Sequence, residues 1–127
     1  MRLDLDCIRD ILFTAEEVTT IDKPCFINQN YQQYSRLKKY DFSVLAYHVH
    51  QCALSDFFTK ANFDMQWNCI IVDLSPKGHE YIANIRSDNI WNKTKSVISK
   101  IGGVALSMVP EIVSPIISSQ IPTLLNG

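Results

Sequence analysis

A chain of 127 residues, 46% apolar and 20% charged, is long enough for one core and ordinary in composition for a globular protein. Its net charge of −1 excludes a global basic field that would draw it onto nucleic acid or an anionic membrane. No apolar run reaches the roughly 18–20 residues of a membrane span, because residues 101–125 are interrupted by Pro110, Pro115 and Pro122.

The first 22 residues are acidic, with Asp4, Asp6, Asp10, Glu16, Glu17 and Asp22 against Arg2 and Arg9. Cys7, Cys25, Cys52 and Cys69 stand far apart, and the start lacks the basic-then-apolar shape of a signal peptide. A cytoplasmic setting with free thiols is therefore expected.

Leu3, Ile8, Ile11, Leu12 and Ala15 recur at helical spacing and predict a packing helix over residues 4–18. Residues 19–30 read as a connection with a short strand at 25–27. Residues 31–40 read as a short helix ending in a turn, carrying Arg36, Lys38 and Lys39. Asp41 is a good N-cap for an amphipathic helix over 42–55. Phe42, Leu45, Ala46, Val49, Cys52 and Ala53 line its apolar stripe. Ser43, Tyr47, His48, His50 and Gln51 are assigned to the other face.

Two strands follow, 57–60 and 67–74, with 61–66 as the turn. Ser75 caps the next helix, and Pro76 takes its first position, where a missing N–H costs nothing. A last helix over 89–101 buries Trp91 and ends at Gly102-Gly103. Strand, cap and helix in this order predict an α+β, mostly helical fold: a winged helix-turn-helix-like domain over 1–101 with a short β wing. Residues 102–127 form a C-terminal helical extension, apolar but proline-broken. Its residues from Val104 to Leu125 must cover the domain, a second copy or another protein.

Catalytic signals are weak. His79-Glu80 lacks the second histidine of a zincin motif, since Ala83 stands four residues on. His48 and Cys52 share a helical face, but a zinc site would need a further ligand such as Cys69 or His79. Nothing gathers a nucleophile with its base, and no glycine-rich phosphate loop appears. The expectation is a protein that is not an enzyme, with no cofactor and no metal.

The residues also resemble a family of uncharacterised bacterial and prophage domains of winged-helix-like character. The resemblance rests on MRLDLD with Ile11-Leu12 and Glu16-Glu17, then Tyr47-His48-Val49. It continues through Leu74-Ser75-Pro76-Lys77-Gly78-His79-Glu80-Tyr81, then Ile85-Arg86-Ser87-Asp88 with Trp91, Lys93 and Lys95. Where the family's central motif has Trp, this chain has Pro76. Where the family has Ala-Gly-Leu-Ile, it has Ser55-Asp56-Phe57-Phe58. The resemblance implies the fold and a phage or mobile-element setting, without an activity.

Two binding functions stay open. One is a small DNA-binding transcription regulator reading double-stranded DNA through Ser43, Tyr47, His48, His50 and Gln51. Arg36, Lys38, Lys39, Lys60 and Lys77 would then give electrostatic support from flanking elements. Against it, residues 41–56 contain two acids and no Lys or Arg. The other is a protein-interaction adaptor in a phage–host conflict system, docking through the wing, an aromatic Tyr31/Tyr34/Tyr40 surface and the apolar tail. A basic rim on the central helix face would favour DNA, and a neutral aromatic or apolar patch would favour a protein.

Overall fold

In a computed structural model, residues 1–126 are described, with side chains described through Ile121. The fold is α+β and mostly helical, with five α-helices and a three-stranded antiparallel sheet among the described residues. The chain forms two compact units, Met1–His79 and Glu80–Gly127.

In the first unit, α1 (Leu5–Val18) starts at Asp4, whose carboxylate accepts from the backbone N–H groups of Asp6 and Cys7. Those donors have no partner inside the helix, so the acid both satisfies them and suits the positive helix end. Cys7, Ile8, Ile11, Leu12 and Ala15 are buried where α1 packs on α2 (Phe42–Leu54) and on β3 (Cys69–Leu74). β3 is the central strand, flanked by β1 (Cys25–Ile27) and β2 (Phe58–Phe63). Cys25 pairs with Ile71 and Ile27 with Cys69, so alternate residues from both strands point into one core. The opposite face carries Phe26, Ile70 and Val72, all exposed.

Residues 28–40 contain one 3₁₀ turn, Tyr31–Gln33, and then a series of turns rather than a longer helix. Three tyrosines pin this segment. The Tyr31 hydroxyl donates to the Tyr40 carbonyl at 2.7 Å, the Tyr40 hydroxyl donates to the Asp10 carboxylate at 2.6 Å, and the Tyr34 hydroxyl accepts from the Phe26 N–H. Tyr31 is buried. The expected aromatic docking surface of Tyr31, Tyr34 and Tyr40 is therefore corrected at Tyr31, while Tyr34 and Tyr40 remain half-exposed with their hydroxyls in internal bonds.

The hairpin also differs from expectation. β2 continues through Phe63, and the turn falls at residues 64–68, so Trp67 belongs to the turn and not to a strand. Between α2 and β2, Asp56 has φ 62°, a left-handed conformation. Aspartate is among the residues that tolerate such backbone.

At the far end of β3, the Ser75 hydroxyl donates to the Asp56 carbonyl at 2.5 Å and accepts from the Gly78 N–H at 3.0 Å. It thereby caps α3 (Pro76–Asn84) while tying the helix start to the α2–β2 turn. A Cβ at Gly78 would run into the Phe57 carbonyl oxygen. Glycine is what allows that approach.

In the second unit, α4 (Asp88–Ile101) starts at Ser87 and ends at Gly102, which has φ 83°. Trp91, Thr94 and Ile98 are buried. α5 (Val109–Asn126) packs on α4 and buries Val109 and Val113. The expected C-terminal extension is thus helical, and it runs through Pro110, Pro115 and Pro122 without the expected interruption. Each interior proline removes one main-chain bond, and packing against α4 is what favours continuing the helix. The side chains of Leu124 and Leu125 lie outside the described residues. No helix among the described residues is long and apolar enough to cross a membrane.

Candidate functional site

α2 separates its residues sharply. Leu45, Ala46, His48, Val49 and Cys52 are buried, and Ser43 is exposed, with Tyr47, His50 and Gln51 intermediate. His48 is the main correction. It is fully buried; its Nε2 accepts the Asp4 backbone N–H and its Nδ1 faces the Val44 carbonyl, both at 2.8 Å. A neutral ring with its proton on Nδ1 satisfies both partners. His48 thus joins the start of α1 to α2 and presents nothing to a ligand. Its spacing, three residues after Leu45 and four before Cys52, puts it at the edge of the buried stripe, and a polar side chain can be buried there when both its polar atoms find partners.

The exposed side of α2 faces the hairpin tip. His50 stacks on Phe63 at 5.1 Å and on Trp67 at 5.2 Å between ring centroids. Beside these rings lies a groove of about 310 Å³ lined by Met1, Phe42, Ser43, Ala46, Tyr47, Gln66 and Trp67. Ser43 and Tyr47 thus fall in one site with Trp67, Gln66, Phe42 and Met1, which sequence reasoning did not assign to it. Gln51 does not line the groove.

Trp67 is held by an unusual backbone. Its N–H donates to the Asp64 carbonyl at 3.2 Å, and its φ is 67°. Hairpin turns of this kind normally place glycine at the left-handed position. Here a bulky ring occupies it and remains 49% exposed. The turn is braced by Asp64, whose carboxylate accepts from the backbone N–H groups of Gln66 and Asn68 and from the Asn68 side-chain amide, each at 2.9 Å. The Asn68 side-chain bond and the two backbone bonds hold the Asp64 carboxyl below its ordinary value. The signal available in the sequence was the lack of any glycine between Asp56 and Lys77.

The basic residues do not rim this groove. The Arg36 guanidinium bonds the Glu17 carboxylate at 2.6 Å and lies 4.6 Å from the centroid of the Phe13 ring. Lys39 pairs with Asp10 at 3.1 Å. Lys38, Lys60 and Lys77 are exposed on three different segments. Their expected action as one electrostatic support is corrected for Arg36 and Lys39, whose charges are engaged by acids of α1.

The four cysteines are free and buried. Burial pushes the Cys25 thiol up to about 11 and the Cys69 thiol to about 12, and raises Cys7 and Cys52 as well. All four are protonated at neutral pH, which denies them thiolate reactivity. Among the described residues, no cluster of three or more His, Cys, Asp or Glu side chains could hold a metal ion.

The fold and groove thus define a small α+β domain with an aromatic surface, lined by no Lys or Arg, on its central helix and hairpin. The chain belongs to the family described as hypothetical protein (DUF2513), whose model matches residues 2–105. No curated protein and no solved structure matches it.

Proposed function

We propose that this chain is a non-enzymatic binding module of winged-helix type that docks a protein partner through α2 and the hairpin tip. The winged-helix reading is supported by the order helix, strand, turn, helix and hairpin, with β1 added antiparallel to the second hairpin strand. In such a domain α2 and the hairpin are the elements that a DNA-binding relative would use. The observation that carries the protein reading is the chemistry of that surface. Tyr47, His50, Phe63 and Trp67 gather there, and no Lys or Arg lines the groove. DNA affinity comes largely from basic side chains on phosphates, whereas aromatic side chains are favoured anchors at protein interfaces.

The test is titration of the purified chain with labelled random duplex DNA at low and at physiological salt. No binding at either salt is expected. Binding that weakens steeply as salt rises would overturn the protein reading in favour of a transcription regulator, with Lys38, Lys60 and Lys77 as the first residues to replace.

A further inference from the structure

We infer that the occupant of the groove is an amphipathic helix of a partner protein, carrying large apolar side chains one turn apart beside basic residues. This rests on the protein-binding reading above.

The first argument concerns main-chain hydrogen bonds. The side chains that bring hydrogen-bonding groups to the groove are few: the Tyr47 and Ser43 hydroxyls, the Gln66 amide and the Trp67 indole N–H. From Leu45 onward the N–H groups of α2 are engaged in its own helix, and those of its uncapped first turn point along the helix axis. An extended peptide in this space would lose water from its N–H and C=O groups and find too few partners to replace it. A helix arrives with those bonds made and offers only side chains. The other place for an extended segment, the open edge of β2, is interrupted by register shifts between Phe58, Lys60 and Ala61. Such irregularities discourage strand addition.

The second argument is charge complementarity. Asp41 stands at the start of α2 and Asp64 in the hairpin turn, while residues 41–59 and 64–68 contain no Lys or Arg. The Asp41 side chain makes no capping bond and is exposed beside Phe42. A partner that fills the groove with apolar side chains therefore meets an acidic surround and gains from basic residues on its flanks.

The third observation is Trp67 itself. A glycine would fit φ 67° better, yet the ring stands half-exposed at the groove wall. Residues kept in unfavourable backbone conformations cluster at ligand-contacting sites.

The experiment is selection of a displayed library of 16-residue peptides on the purified full chain, with counter-selection on the Trp67→Gly variant. That variant should fold, because glycine suits the backbone, and circular dichroism matching the wild type checks this. Enriched peptides are expected to carry apolar residues at i, i+3 or i+4, Lys or Arg near them, and no interior proline. Synthetic copies should bind wild type at least about tenfold more tightly than Trp67→Gly or Tyr47→Ala. Enrichment of alternating or proline-containing extended peptides, still dependent on Trp67, would overturn the helix and leave the groove as a protein site. Failure to enrich any Trp67-dependent peptide would overturn both. Sedimentation of the chain alone tests the remaining occupant: a dimer that Trp67→Gly dissociates would make a second copy the occupant and overturn the foreign helix.

Discussion

At its C-terminal end β3 runs into a junction where every residue suits the geometry around it, whereas the turn at its N-terminal end holds a tryptophan where geometry favours glycine. Ser75 caps, Pro76 follows at the first helical position, and Gly78 lies against the Phe57 carbonyl. At the hairpin tip, Asp64 and Asn68 spend several hydrogen bonds holding a turn whose φ 67° residue carries an indole. Both ends hold one left-handed residue, but at the junction it is Asp56, a type that tolerates such backbone, whereas at the tip it is a bulky indole. A residue that costs stability and is exposed is better explained by what it touches outside the chain than by what it does for the fold.

The comparison can be broken most forcefully at the junction. Gly78→Ala places a methyl group against backbone that cannot swing aside, and should lower stability by about 3 kcal/mol, at the upper end of the overpacking range. A denaturant midpoint equal to wild type would show that the approach of α3 to Phe57 is loose. Ser75→Ala removes both the cap on Gly78 and the bond to the Asp56 carbonyl, with an expected loss of about 1–2 kcal/mol. Equal denaturation curves for Ser75→Ala and wild type would mean that solvent replaces both bonds without cost.

The junction was legible in the sequence because each of its devices has a local signature: a capping serine, a proline at the first helical position, and a glycine two residues further on. The same holds for α1 and α4, whose apolar spacings and caps agree with the helices that form. The hairpin tip was not legible. Strand propensity puts Trp67 at the start of β3, and only the pairing of Phe63 with Cys69 moves it into the turn. His48 was misread for a related reason. Whether a histidine on a mixed helix face is buried depends on Asp4, which is distant in sequence and donates its N–H to the ring. Ser43 and Tyr47 were assigned correctly to an exposed or half-exposed face, but the partners that turn that face into a groove come from Met1 and from the turn. For α5 the helical character of the extension was legible and its continuity was not, because local proline signals were outweighed by packing on α4.

The tip offers a finer test than the junction, by comparing two replacements of Trp67. Trp67→Ala and Trp67→Gly both lose the ring contacts with His50, but only glycine relieves the left-handed backbone. Trp67→Gly should therefore be more stable than Trp67→Ala by about 1 kcal/mol, read from denaturant midpoints at equal slope. Equal stabilities would show that the backbone relaxes on losing the indole, and would remove the argument that Trp67 is held at a cost.

The smallest effect comes from acid. Hydrogen bonds from the Asn68 side chain and from the backbone of Asn68 and Gln66 keep the Asp64 carboxyl below its ordinary value of 3.8. A carboxyl whose folded value is depressed stabilises the fold fully above its unfolded value, and that contribution disappears as pH falls through the folded value. The tip should thus hold its form from neutral pH down past the range in which other exposed carboxylates protonate, and loosen only below it. Because Asp64 is at the surface, the change belongs to the turn and is read from the amide resonances of Gln66 and Asn68 and the indole of Trp67 during acid titration. These signals should move together, with a midpoint below 3.8. In Asp64→Ala that shared transition should vanish, and the indole should already sit at its low-pH position at pH 7. A Trp67 signal indifferent to both acid and Asp64→Ala would mean that the ring is placed by His50 and Phe63 alone, with no help from the turn beneath it.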